Sequence, residues 1–432
     1  MSTLLGRTIE RRPNAIAYTG RSARLIPASP FANLFTAKWA FWAFTFVLFI
    51  FYLLTPTLIY FLVVPNELYL KLTGLTSVTL ASMFCGYSCK ALDGRFLANS
   101  PRITVNASSY IFITLVLFTL YISVTLLTAP SIPILSSISA SDANALSVER
   151  GEFLKGRQGA WVILLYLSSL LTSTLVPYCI VLAYSTRSRV RHLLCVLFLL
   201  FSVSFLVKAL FFNLMIPLMA LLAEQKKLSK KMLFVAFVVG CTTLVVLIVL
   251  SGYGSLEGSD PAASTADYFS SAYVPDSTFK FLVYRMIAVP IFSVVDTLHV
   301  HAVSFNGDLL YGSTSTFFST VFGLERINLE RFVAEYQYGG WNDHANSNVV
   351  FIADAYVNFG WLGVIIFGGM VGLSFRIFKL SQDIGIRSLA LLYAFLLYSS
   401  PLIGMMLSNG FAIFFVQALF IRVRSNTRLQ SH

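Results

Sequence analysis

The chain has 432 residues, of which 57% are hydrophobic and only 12% are charged, and its formal net charge is +12. Soluble domains average roughly 45–50% apolar and 25% charged residues, so this composition excludes an ordinary soluble protein. In a soluble protein the positive charge would indicate nucleic acid; in a membrane protein it indicates topology, and no nucleic-acid partner is expected.

Apolar runs of about 20 residues recur along the chain, and each is long enough to cross the roughly 30 Å hydrocarbon core of a bilayer. The sequence predicts an all-α polytopic membrane protein with about ten transmembrane helices. They are predicted at 39–63, 68–89, 108–128, 160–184, 193–207, 209–223, 232–251, 349–373, 388–404 and 406–422.

Hydropathy and charge divide the chain into five parts. These are a cytoplasmic basic arm (1–38), transmembrane helices 1–7 (39–251), a large periplasmic loop with amphipathic helices (252–348), transmembrane helices 8–10 (349–422) and a cytoplasmic tail (423–432). The stretches 193–223 and 388–422 have basic flanks on both sides, so each is predicted to be a hairpin. The first hairpin is predicted to turn at Lys208 and the second at 408–410.

This topology follows the distribution of charge. The segments placed inside hold 22 of the 31 lysines and arginines but only four of the 19 acidic residues. Because basic residues accumulate on cytoplasmic loops, both termini are expected in the cytoplasm.

The loop 252–348 differs most from the rest of the chain in its length and its charge. It holds ten acidic residues and four basic ones, and loops of nearly 100 residues without a role are uncommon. The functional site is therefore expected here, with the 129–158 loop as a second wall.

Within this loop, residues 279–299 are mostly apolar. As a helix they would bring Arg285, Asp296 and His299 near one face, beside the lipid head groups. The alternative is a surface helix in which Arg285 only reaches the phosphates or pairs with Asp296. Lys208 is likewise either an anchor at the membrane surface or a ligand for an anion.

The densest polar cluster runs from Trp341 to Asn348 and on to Gly360. If a helix begins near Asn346, Asp354 and Asn358 lie one turn apart on one face. An ionised carboxylate entering the membrane needs a partner or a water-filled cavity, so Asp354 is the leading functional candidate. The alternative is that Asp354 only bonds a neighbouring helix and that His344 is a solvated loop residue.

Other motifs limit the function. The chain has no GxxxxGK[ST] loop, no HExxH and no Asp-x-Asp pair, which disfavours most nucleotide and zinc chemistry. Gly368 and Gly372 form a GxxxG pattern, which indicates close helix packing.

The run from His344 through Asp354 to Gly363 resembles a segment of bacterial Wzy-type O-antigen and oligosaccharide repeat-unit polymerases. The stretches 284–290 and 208–217 resemble that family's arginine-to-proline loop segment and its lysine-bearing crossing. The similarity covers roughly residues 195–375. It implies the O-antigen polymerase/ligase (GT-C-like) architecture.

The resemblance implies a metal-independent glycosyltransferase of the bacterial inner membrane with its active site facing the periplasm and no cofactor. Such an enzyme moves a growing glycan from undecaprenyl pyrophosphate onto the non-reducing end of another lipid-linked repeat unit. Its partners would be these lipid-linked oligosaccharides, membrane lipids and a chain-length regulator. An O-antigen ligase of the same superfamily and a lipid-linked oligosaccharide flippase or transporter are the alternatives.

For that reaction the sequence offers positive charge for the pyrophosphate, a base for the acceptor hydroxyl and polar contacts to the sugars. The catalytic candidates are Arg285, Asp354 and His344, with His344 as the second choice for the base. The substrate-binding candidates are Lys208, Tyr284, Arg326, Arg331, Asn346, Asn348, Tyr356 and Asn358. In the acidic loop, Arg326 and Arg331 have the alternative of pairing with nearby glutamates.

Overall fold

The computed structural model describes residues 30–90, 103–139, 143–250, 267–340 and 345–424, and these residues are mostly helical. The first group of helices is α1 (Ala37–Leu62), α2 (Glu67–Ser88), α3 (Ala107–Leu127), α4 (Pro133–Ser139), α5 (Ala143–Leu154) and α6 (Gly159–Ser185). The second is α7 (Arg191–Phe205), α8 (Lys208–Glu224), α9 (Lys230–Leu250), α10 (Thr278–Ser304), α11 (Thr316–Phe322) and α12 (Leu329–Tyr338). The third is α13 (Phe351–Leu380), α14 (Ile384–Ser388), α15 (Ala390–Leu397), α16 (Leu402–Met406) and α17 (Phe411–Phe420).

Six helices of the described residues are long and apolar enough to cross a membrane. They are α1, α2, α3, α6, Phe279–Ser304 within α10, and α13. The helical membrane fold expected from composition is therefore present in its coarse form. The helix α10 has the composition of a crossing segment, although the sequence analysis assigned it to the periplasmic loop.

The sequence predicts a crossing helix over 349–373 and considers a helix start near Asn346; α13 begins after Asn346 and is interrupted within the predicted crossing. Residues 345–350 are non-helical, with Val350 in an extended conformation, and the helix begins at Phe351. Gly360 then interrupts the helix with φ 61° and ψ −152°, a conformation that glycine adopts without steric cost.

The two arms of α13 fold back on each other at Gly360. The rings of Phe351 and Phe375 both pack on Phe44, with centroid distances of 6.4 and 5.4 Å. A straight helix would separate Phe351 from Phe375 by about 36 Å. The first arm (351–359) therefore runs opposite to the second arm (361–380), as a helical hairpin.

The second arm packs in parallel against α2. Trp361 lies beside Gly74, Gly368 beside Thr79 and Gly372 beside Met83. A Cβ added at Gly368 or Gly372 would meet α2 inside van der Waals contact. This confirms that the GxxxG pattern serves close helix packing.

The stretch 193–223 forms the predicted hairpin. Helix α7 ends at Phe205, Leu206 takes a left-handed conformation, and α8 begins at Lys208. The turn is therefore centred at 206–207, immediately before the predicted Lys208.

The stretch 388–422 also reverses direction, but it is more broken than predicted. Three short helices, α15 to α17, are separated at Tyr398–Pro401 and at Leu407–Gly410, and Gly410 has φ 79°. The predicted turn at 408–410 is present. The eight and ten residues of α15 and α17 span only about 12 and 15 Å, so neither alone reaches across a bilayer.

Segments that the sequence analysis assigned to the same side meet at the same end of the bundle. Glu224 accepts a hydrogen bond from the Ala37 amide (3.0 Å) and pairs with Arg387 (3.2 Å). The strands β1 (Ile103–Asn106) and β2 (Ile421–Arg424) form a parallel pair, with Ile103 opposite Ile421. At the opposite end, the Tyr69 hydroxyl near the start of α2 contacts the Phe269 carbonyl.

Candidate functional site

A cleft of about 690 Å³ lies between α6, α13 and the broken segment after α15. Its walls come from 163–170, 314–317, 326–330 and 400–409, together with Val349 and Asp354. The breaks that keep 398–410 from forming continuous helix therefore supply one wall of this cavity. Ser400 and Asn409 give that wall polar atoms, and Tyr166 of α6 adds an aromatic face.

Asp354 is the most deeply buried charged residue of the cleft, with 4% of its surface exposed. Its Oδ1 accepts hydrogen bonds from the Thr314 hydroxyl (2.8 Å) and the Asn358 amide (2.9 Å). The predicted pairing of Asp354 with Asn358 across one helical turn is confirmed. Both donors are neutral and both occupy Oδ1, so the second oxygen is the one that a ligand in the cleft could use.

The loop after α10 holds this carboxylate in place. Because α13 breaks at Gly360, the last carbonyls of its first arm lose their helical donors, and loop amides replace them. Leu310 donates to the Val357 carbonyl (3.1 Å) and Tyr311 to the Asn358 carbonyl (2.9 Å). The Gly312 amide donates to the Asn358 side chain (2.9 Å), which fixes the amide that reaches Asp354.

Two further charged residues, Arg326 and Glu330, line the cleft. Asn346 donates to Glu330 Oε2 (3.2 Å), and the Glu330 carbonyl accepts from the Ser347 amide (2.9 Å). Burial raises the pKa of Glu330 above its ordinary value, and the nearby charges of Lys155 and Arg326 offset this only in part. The 129–158 loop was considered as a second wall of the site, but none of its described residues lines the cleft.

Arg285 and Tyr284 do not line the cleft. Arg285 is exposed on α10, and its guanidinium lies 6.0 Å from the Phe281 ring centroid. Tyr284 is buried, and its hydroxyl donates to the Ser270 carbonyl (2.5 Å). Asp296, the suggested partner of Arg285, accepts a hydrogen bond from Gln337 (2.7 Å).

The remaining predicted contacts are divided among different surroundings. Arg331 pairs with Glu335 (2.7 Å) on the exposed side of α12, which matches the alternative considered for it. Asn348 is exposed, and Tyr356 lies under the Lys71 ammonium, 4.3 Å from its ring centroid. None of these three lines the cleft.

Lys208 is the first residue of α8, but the placement of its side chain lies outside what the structure describes. His344 lies outside the described residues altogether.

Sequence reasoning missed Thr314 and treated Glu330 only as a partner for arginine. Thr314 is 40 residues from Asp354, and no local pattern links them. The signal available was indirect: an intramembrane carboxylate requires donors, and the adjoining long loop is rich in hydroxyl residues.

Among the described residues, no group of three or more His, Cys, Asp and Glu side chains is placed to hold a metal ion. Comparisons of the chain with protein-family models, with curated proteins and with solved structures give no significant match.

Proposed function

We propose that the chain is a membrane glycosyltransferase of the repeat-unit polymerase type, which transfers a growing glycan from undecaprenyl pyrophosphate to another lipid-linked repeat unit. The observation that carries the proposal is the buried Asp354 in a cleft that also holds Arg326 and Glu330. A cavity with a few convergent polar groups among apolar walls is the usual form of a small-molecule site.

Arg326 is the cation that the cleft offers to a diphosphate. A sugar diphosphate already carries a good leaving group, so bond cleavage chiefly needs positive charge where the departing oxygen becomes negative. A guanidinium can bind two such oxygens at once. Arg326 therefore takes the role that the sequence analysis gave first to Arg285.

Asp354 is the group that orients and deprotonates the acceptor hydroxyl. Thr314 and Asn358 fix one carboxylate oxygen, so the other can accept the hydroxyl proton as the bond to the anomeric carbon forms. Holding acceptor and donor together in a closed cleft supplies much of the rate acceleration, on the order of 7 kcal/mol in well-oriented cases.

A polymerase must hold two lipid diphosphates, one on the donor and one on the acceptor. Arg285 is exposed on α10 and is the candidate for the acceptor's diphosphate. The tyrosine and amide side chains of the cleft offer stacking faces and hydrogen bonds to sugars.

The same proposal includes an orientation. The basic segments define a cytoplasmic end with both termini, and the cleft faces the periplasm of a bacterial inner membrane. A chain-length regulator is the protein partner that this activity would have.

A lipid-linked repeat unit, incubated with the purified protein in a metal chelator and without nucleotide sugar, tests the proposal. We expect a ladder of longer lipid-linked glycans. A single transfer to lipid A core would favour the ligase. Movement of the lipid across vesicles without any transfer would favour a flippase.

A further inference from the structure

The cleft has a charged side and a neutral side. Among the described residues, the charged ones that line it are Arg326, Glu330 and Asp354. The walls formed by 163–170 and 400–409 contribute hydroxyl, amide and aromatic side chains but no charged ones. A neutral polar wall suits a ligand with hydroxyl groups, because an ion placed there would lose its hydration without gaining a partner of opposite charge.

Asn409 on the neutral wall has a side-chain amide that a ligand can use. Both of its backbone groups are already engaged: its N–H donates to the Gly404 carbonyl (3.0 Å), and its carbonyl accepts from the Thr174 hydroxyl (2.7 Å). Within the described part of the chain, the side-chain amide donates to the Met405 sulfur (3.0 Å), which is a weak acceptor. An asparagine amide can donate and accept at once, so it can bind two neighbouring hydroxyl groups of a sugar.

Ser400 and Tyr166 add a hydroxyl group and a ring to the same side of the cleft. Ser400 lies in the non-helical break before α16 and is half-buried. Tyr166 is one helical turn before Leu170, and a Cβ added at Gly410 would meet the Leu170 side chain. Tyr166 therefore lies on the face of α6 that packs against the turn at Gly410, and 46% of its surface is exposed. Such a ring offers an apolar face to a sugar, whose hydroxyl groups can bond the amide and the serine.

Thr174 holds this wall from the neighbouring helix. It lies in a π-helical turn of α6 (Leu171–Leu175), a local widening that is frequent at functional sites. Its hydroxyl is 2.7 Å from the Asn409 carbonyl and 3.0 Å from the Leu170 carbonyl of its own helix. A Cβ added at Gly410 would approach the same hydroxyl to 3.0 Å, so the turn and α6 are in close contact. The backbone of Asn409 is thus fixed where this residue lines the cleft.

We propose that Asn409, Ser400 and Tyr166 form a subsite for a neutral sugar ring of the glycan and that Thr174 is its positioning residue. The amide and the serine hydroxyl bind hydroxyl groups of the sugar, and Tyr166 lies against its apolar face. The diphosphate occupies the charged side of the cleft. The subsite selects the sugar and takes no part in bond cleavage. The inference rests on the proposed function for the lipid diphosphate that carries this sugar.

Equilibrium binding to the purified full chain tests the subsite without requiring turnover. The two probes are the undecaprenyl-diphosphate-linked repeat unit and undecaprenyl diphosphate without a sugar. Asn409→Ala should bind the sugar-bearing probe about tenfold more weakly, as expected for the loss of one or two hydrogen bonds, and should bind the sugar-free probe like wild type. Ser400→Ala removes only a hydroxyl group and should show a smaller loss for the same probe alone.

Thr174→Val tests the positioning role, because it removes the hydroxyl and keeps the shape of the side chain. It should weaken binding of the sugar-bearing probe about threefold, and adding it to Asn409→Ala should cause no further loss. Thr174→Ser should restore binding. The matched control is Thr172→Val in the same π-helical turn, since the Thr172 hydroxyl donates to the Ser168 carbonyl of its own helix (2.7 Å). This control should leave the affinity unchanged.

An equal loss for both probes, or wild-type affinity in both Asn409→Ala and Ser400→Ala, would overturn the subsite. A loss in Thr172→Val equal to that in Thr174→Val, or a further loss in the double variant, would overturn the positioning role. If the variants weaken only the sugar-bearing probe but the wild type forms no longer glycan, the subsite stands and the polymerase assignment falls.

Discussion

Two arginines that the sequence offers for a diphosphate lie in different surroundings. Both side chains are exposed, but Arg326 lines the cleft with Asp354, whereas Arg285 lies outside it on α10 beside Phe281. The side chain that lines the cleft beside Asp354 can stabilise charge as the glycosidic bond breaks, and the one outside the cleft can only help to hold a substrate.

Kinetics of the two alanine variants separate these roles. Arg326→Ala should lower kcat by about 10²-fold, the usual cost of one charge-stabilising donor. Arg285→Ala should raise KM and leave kcat nearly unchanged, because it removes ground-state binding. A loss of kcat in Arg285→Ala with little effect in Arg326→Ala would reverse the assignment.

Glu330 gives a prediction on pH. Burial raises the pKa of Glu330 in the folded protein above its ordinary value of 4.5. At a pH between 4.5 and this raised pKa, the folded protein therefore binds more protons than the unfolded chain. Lowering the pH through the raised pKa toward 4.5 should therefore favour the folded state through this group. Lys155, Arg326 and Asp354 are the other charged groups near this carboxylate.

Thermal unfolding in detergent checks the direction of this pH dependence of stability. Glu330→Gln should be more stable than wild type near neutral pH, and the difference should shrink on acidification. If the stability of Glu330→Gln relative to wild type increased on acidification instead, the carboxylate would be stabilised by its cations in the folded protein.

At this scale the sequence could predict Asp354 and Asn358, because a helical period of 3.6 places residues four apart together. It could not predict Thr314, which reaches Asp354 through a contact between residues distant in the chain. Arg285 and Arg326 are equally basic in sequence. Only the fold decides which of them enters the cleft.

Among the helices, α2 and the second arm of α13 depend on glycine for their close approach. A methyl group at Gly372 would meet the Met83 carbonyl inside van der Waals contact, whereas one at Gly369 would meet nothing within 4 Å. Gly372→Ala should therefore destabilise the protein by about 1–3 kcal/mol through overpacking.

Gly369→Ala is the matched control, three residues away on the same arm, and should be neutral or slightly stabilising through helix propensity. Thermal unfolding in detergent compares the two. Equal melting temperatures for both variants would contradict the parallel packing of α2 with this arm.

The sequence predicted the existence of most apolar helices because hydropathy depends on composition alone. It could not predict the reversal at Gly360. Residues 349–373 are predominantly apolar on both sides of Gly360, and the reversal depends on loop amides from Leu310 and Tyr311 that replace lost helical donors. In the segment 398–410 the turn at 408–410 was predicted, whereas the break at Tyr398–Pro401 was not.

In the whole molecule, contacts between loops and helix ends group them at two opposite ends of the helix bundle. Glu224 joins the start of α1 to Arg387 at one end, and the Tyr69 hydroxyl contacts the Phe269 carbonyl at the other. The positive-inside rule assigns the Glu224 end to the cytoplasm.

Cysteine labelling tests this orientation in a background in which all five native cysteines are replaced. A membrane-impermeant maleimide should label Glu335→Cys in cells whose outer membrane alone is permeable. It should label Lys227→Cys only after the inner membrane is opened. Labelling in the opposite order would invert the topology and move the cleft to the cytoplasmic side.

The central claim is that glycosyl transfer occurs at Asp354, and the turnover of Asp354→Asn measured against Asp276→Asn tests it most directly. The control makes the same substitution at an exposed residue that pairs with Lys280 (2.7 Å). With lipid-linked repeat units as substrate, Asp354→Asn should lose about 10²–10⁴-fold in kcat, the contribution of a general base, while retaining folded protein and diphosphate binding. Asp276→Asn should match wild type. A glycan ladder of normal length and rate from Asp354→Asn would contradict the account.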